Sequence, residues 1–159
     1  MNKSETREVE QLDLALRNRG SRMATAHGTD DSVTTCDCCG KSNLKSTVII
    51  ELDNGEIVHY GSVCARRNTG KDRATITREI NAHAAAVKAA AAAELRAHPA
   101  YIAQRAKFAE RDAYARANSG IRMIGRIAME FVREACDACD KARADIAAKY
   151  GIDPYAIPA

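Results

Sequence analysis

Apolar positions along this 159-residue chain follow two rhythms, and the change falls near residue 75. Before it, "STVIIEL" (46–52) and "EIVHYGS" (56–62) concentrate β-branched and aromatic residues on either side of "DNG" (53–55). The Asn-Gly pair tolerates positive φ, so this stretch predicts a β-hairpin. After residue 75 the period lengthens to three and four. "TITREINAHAAAVKAAAAAELRAH" (75–98) has high intrinsic helix propensity, with Thr75, Arg78 and Glu79 at its start and Pro99 marking its end or the first turn of the next helix.

In "AYIAQRAKFAERDAYARA" (100–117) the predicted stripe is Ile102, Ala106, Ala109, Ala113 and Ala117, and "NSG" (118–120) breaks it. A last helix is predicted over 121–150, with Ile121, Ile124, Ala128, Phe131, Ala135, Ala138 and Ala142 in heptad-like spacing. Alanine stripes let helices approach closely and favour an antiparallel arrangement, at modest hydrophobic gain per residue. Upstream, "SETREVEQLDLALRNRGSRMA" (4–24) predicts a helix capped by Ser4 with Val9, Leu12 and Leu16 on one face, and "HGTDDS" (27–32) reads as a polar linker.

The predicted fold class is therefore α+β and mostly α: a small knuckle and hairpin carried with long, Ala-rich antiparallel helices. The segments are an N-terminal helix (1–26), a knuckle and hairpin module (33–74), a helical hairpin or bundle (75–150) and a tail (151–159), ordered if Tyr155 or Ile157 finds a groove.

Composition sharpens this outline in two places. With 4% aromatic residues and no Trp, the core must be built from Ala, Ile, Leu and Val. No apolar run is long enough to cross a bilayer, and "MNKSETREVEQ" has no secretory-type apolar core, so a cytoplasmic protein without membrane contact is expected. There, six cysteines point to metal ligation or burial rather than disulfides. The formal charge of +3, from 24 basic and 21 acidic residues, permits a nucleic-acid partner without requiring one.

The chemistry concentrates in "CDCCG" (36–40) and "HYGSVCARR" (59–67). In C-x-x-C-G the outer sulfurs of Cys36 and Cys39 project to one side of a tight turn, backbone amides can donate to them, and Gly40 accommodates the positive φ such turns need. The hairpin then returns Cys64 at a helix start, where the dipole is expected to lower its thiol pKa. These three cysteines predict one structural Zn²⁺. By its position at the end of the return strand, His59 is the first candidate for a fourth ligand. Cys38 is the second, and His27 or a sulfur of "CDAC" (136–139) would require flanking helices to fold back. Cys136 and Cys139, spaced i, i+3 beside an alanine stripe, read as helix packing.

The run "CDCCGKSNLKSTVIIELDNGEIVHYGSVCARR" (36–67) resembles a small zinc-binding module of phage and actinobacterial hypothetical proteins, and its knuckle, hairpin and helix order is similar to the treble-clef family. The resemblance covers about residues 35–70. It implies Cys36, Cys39 and Cys64 as ligands and a phage or mobile-element origin, and it implies no agreed activity. It departs from the usual treble clef at Arg67, where a further ligand would stand three residues after Cys64.

Catalytic motifs fail on inspection. "TGKD" (69–72) has Ala65 where a phosphate loop needs its first Gly and Asp72 where it needs a hydroxyl. An HNH-type nuclease would need more histidines than His59 within the module, and no zinc-deaminase pattern occurs. A non-enzymatic protein is expected. "CARRNTGKDR" (64–73) is the most basic short stretch, and Arg66, Arg67, Lys71 and Arg73 are the candidates for phosphate contacts. The expected role is binding nucleic acid or a nucleic-acid-processing complex; the alternative is an adapter that modulates a host or phage protein through the long helices.

Overall fold

The computed structural model describes residues 24–118 and 124–158, with side chains placed from Met129 onward in the second stretch. Among the described residues the chain is α+β and mostly helical, and it divides between Ala84 and Ala85 into two compact units.

The first unit is organised by three antiparallel strands in the order β1 (Thr25–Asp30), β2 (Thr47–Glu51) and β3 (Ile57–Tyr60). β2 and β3 form the predicted hairpin, pairing Val48 with Tyr60 and Ile50 with Val58. Gly55 takes φ +79 in the turn, a conformation a side chain would strain. Alternation puts Val48, Ile50, Val58 and Tyr60 into one core with Ala24, Ala26, Cys36, Ala65 and Ile76.

Residues 27–30 of the segment read as a polar linker belong to strand β1, with Ala26 opposite Ile50 and Thr29 opposite Val48. Its sequence has little strand propensity, and only Ala26 and Gly28 suit it to close approach. Pairing with the apolar β2 overrides the local preference. A register irregularity between Ala26 and Gly28 accompanies this, and the Ala26 N–H donates to Glu79 Oε2 at 3.1 Å. The predicted helix over 4–24 falls outside the described residues except at Ala24, which is buried and non-helical; Thr25 and Ala26, within the same 1–26 segment, begin β1.

Helix α1 (Ser62–Thr69) follows β3 directly and is closed by Gly70 at φ +66. Helix α2 (Arg73–Ala97) starts where the Asp72 carboxylate accepts the Thr75 N–H at 2.7 Å. α2 begins in the first unit and ends in the second.

In the second unit, α3 (Pro99–Ala117) starts with Pro99 in its first turn and His98 Nδ1 accepting the Ala100 N–H at 3.2 Å. α4 (Ile124–Tyr150) runs antiparallel to its neighbours: Lys107 lies over the Phe131 ring at 4.7 Å, while Glu94 accepts from Lys149 at 2.7 Å and from the Tyr150 hydroxyl at 3.0 Å. The core joins Ala91, Ala92, Leu95, Cys139, Ile146, Ala147 and Ile157. Ile157 of the tail is buried, held by a 3-10 turn at Pro154–Ala156 and by Arg143 Nη1 donating to its carbonyl at 3.0 Å.

Two predicted stripes are corrected. Ile102, Ala106, Ala109, Ala113 and Ala117 are exposed, and the shielded face of α3 carries Tyr101, Gln104, Phe108, Arg111 and Ala115 instead. Tyr101 packs against the helical core, while Ile102 and Tyr114 stay exposed and no residue of α3 is fully buried. On α4, Ala135 and Ala142 are shielded as expected but Phe131 and Ala138 are exposed, and the stripe runs through Val132, Cys139 and Ile146.

Candidate metal centre

Cys36 and Cys39 sit in the turn between β1 and β2, and Cys64 lies in the first turn of α1. The turn is built as C-x-x-C-G requires: the Gly40 N–H donates to the Cys36 carbonyl at 2.8 Å, and Gly40 takes φ +70. Asp37 clamps it to the sheet, its N–H donating to the His59 carbonyl at 2.9 Å and its carboxylate accepting the His59 N–H at 2.6 Å. Because α1 starts two residues after β3, Cys64 is delivered straight onto this turn. The three sulfurs lie within 4.8 Å of one another, a set that could hold a metal ion.

Cys36 is buried, Cys64 half-buried and Cys39 exposed, so the set is open on one side. Burial alone would raise the Cys36 thiol, but N–H groups of Gly61, Cys39 and Cys38 and the Cys39 thiol bring it below its ordinary value. The expectation for Cys64 is reversed: burial, followed by hydrogen bonding with the Cys39, Cys38 and Cys36 thiols, pushes it well above. In this cluster burial and the neighbouring sulfurs outweigh the dipole of an eight-residue helix. Cys136 and Cys139 are not part of the set, and Cys139 is fully buried in the helical core.

His59 is likewise outside the three-residue set. Strand alternation is the reason: Val58 and Tyr60 point into the core that contains Cys36, so His59 between them faces the other way. There its Nε2 is 3.4 Å from Asp30 and its Nδ1 3.9 Å from Asp37. The Ser32 hydroxyl and N–H hold the Asp30 carboxyl below its usual range, which favours that pairing. His27 instead stacks on His83, with centroids 4.3 Å apart, and meets Glu51 at 2.9 Å.

Two residues of the site escaped the sequence reading. The Gly61 N–H donates to Cys36 Sγ at 3.2 Å, and a Cβ there would come within 3.2 Å of Leu44. The signal was its place between the return strand and Cys64. Asn68, only 9% exposed, donates from Nδ2 to Cys38 Sγ at 3.1 Å and to the Cys64 carbonyl at 3.0 Å. It stands one turn after Cys64, which a helical reading of the stretch could have flagged.

Of the four basic candidates, Arg66, Arg67 and Arg73 are exposed. Arg66 and Arg73 border a groove of 520 Å³ together with Lys45, over a floor that includes Val48, Ile76 and Ile80. Lys71 lines a second surface pocket with Arg66 and Arg67, and its ammonium donates to Glu79 Oε1 at 2.5 Å and to the Ala24 carbonyl at 2.5 Å. A half-buried lysine with both contacts filled is a tie between the α1–α2 turn and the sheet.

No helix among the described residues is long and apolar enough to cross a membrane. Compared with protein-family models, with curated proteins and with solved structures, the chain matches none.

Proposed function

We propose that this is a non-enzymatic zinc-binding protein of phage or mobile-element type, whose first unit binds nucleic acid or a nucleic-acid-processing complex. The observation that carries the reading is the convergence of Cys36, Cys39 and Cys64 within 4.8 Å, with a knuckle, hairpin and helix in the order that the treble-clef resemblance implies. Thiolate-rich sets of this kind select zinc among the common divalent ions. Its role here is structural, since it ties the turn, the sheet and α1 together. Arg66, Arg67 and Arg73, with Lys45, supply exposed positive charge on the same unit. Such charge contacts phosphates without reading bases.

The reading is tested by reversing Arg66 and Arg67 to Glu. Binding to mixed-sequence duplex or single strand should weaken and its dependence on salt flatten by about one unit of log slope per lost phosphate contact, with zinc content and helicity unchanged. Wild-type protein that binds neither strand form at low salt overturns the nucleic-acid part. The second reading, an adapter acting on a host or phage protein through the helices, would then stand. It has its own support in Ile102, Tyr114, Met129 and Phe131, which are 48–58% exposed on α3 and α4.

A further inference from the structure

A tetrahedral zinc ion takes four ligands, and the three-sulfur set provides three. His59 is turned to Asp30 and Asp37, and the Asp37 carboxylate also accepts the His59 N–H. Cys38 is differently placed. It belongs to the same turn as Cys36 and Cys39 and is half-buried. The amide of Asn68, almost buried, points at its sulfur.

We propose that Cys38 is the fourth ligand, so that the ion is held by the thiolates of Cys36, Cys38, Cys39 and Cys64, with Asn68 positioning Cys38. The proposal rests on the zinc reading above and completes it. An N–H···S hydrogen bond is far stronger to a thiolate than to a thiol, because it is charge-assisted. Four thiolates around Zn²⁺ leave net negative charge, and N–H donors offset it. Cys36 already receives the N–H of Gly61, and the Asn68 amide gives Cys38 the same kind of partner. Because the Cys38 sulfur lies outside the mutual 4.8 Å set, ligation requires its side chain to turn toward the other three. The Cys38 thiol proton passes to solvent as the Zn–S bond forms.

The test is X-ray absorption at the zinc edge on the full chain, wild type and Cys38→Ser, with zinc retention measured against a competing chelator. The wild type should show four sulfur neighbours. Cys38→Ser should show three sulfurs and one lighter atom and hold zinc at least about tenfold less tightly, while Asn68→Ala should keep four sulfurs with about tenfold weaker retention. Three sulfurs and one lighter atom in the wild type, or an unchanged sulfur count in Cys38→Ser, would overturn the proposal and leave the zinc reading intact. Failure to take up zinc at all would overturn both. Should Cys38→Ser not fold, alkylation of the wild type decides: zinc should protect Cys38 until chelator is added, and equal labelling with and without zinc rejects ligation.

Discussion

Two C-x-x-C stretches in this chain have the same spacing and opposite fates. Cys36 and Cys39 lie in a turn whose backbone curls both sulfurs to one side, where Cys64 meets them. Cys136 and Cys139 lie one turn apart on α4, where Cys139 is buried in the packed core and Cys136 half-buried at its edge, and among the described residues no third metal-binding side chain joins them. Spacing alone therefore does not make a metal site; the backbone conformation between the cysteines does. The units around them differ in the same sense. The first relies on short strands and a small core, the second on helical contacts in which Ala91, Ala92 and Leu95 of α2 pack with Cys139, Ile146 and Ala147 of α4 while most of the alanine run is exposed.

The largest effect expected from this contrast is on chelation. Removing zinc should cost the first unit on the order of 10 kcal/mol of local folding free energy, so hydrogen exchange across β2 and β3 should lose its protection while much of the helical circular dichroism remains. Simultaneous loss of both signals would mean that the helices depend on the metal as well.

A smaller effect isolates the other C-x-x-C. Cys139→Ala removes a fully buried sulfur and should destabilise the helical unit by about 1 kcal/mol in denaturant unfolding, with zinc content unchanged. Loss of zinc in that variant would erase the distinction between the two stretches.

The smallest effect lies in the tie between β1 and α2. Burial would raise the Glu79 carboxyl, but the Lys71 ammonium and the Ala26 N–H hold it below its ordinary value. A depressed carboxylate contributes stability that is complete above its ordinary titration range and is lost as pH falls through its folded value. Glu79→Gln should therefore reduce Ala26 amide protection at neutral pH by about threefold, and the gap to wild type should narrow on acidification. A gap that widens toward acid would contradict the assignment.

The sequence by itself determined whatever depends on neighbours along the chain. The hairpin around Gly55 and the knuckle closed by Gly40 follow from residues that accept positive φ at little cost, and the helix start at Pro99 follows from a fixed φ and a missing donor. The convergence of Cys36, Cys39 and Cys64 was legible because a short hairpin leaves few places for its return strand to lead. Tertiary structure decided the rest. β1 exists because β2 offers it an edge, the half-buried side of α3 carries Tyr101 and Phe108, and the Lys71 ammonium, though the residue lines a surface pocket with Arg66 and Arg67, is taken up by Glu79, eight residues on, at 2.5 Å. His59 was judged by its distance along the chain from Cys64. Its side chain obeys the alternation of a paired strand, and that places it on the face away from the core that holds Cys36.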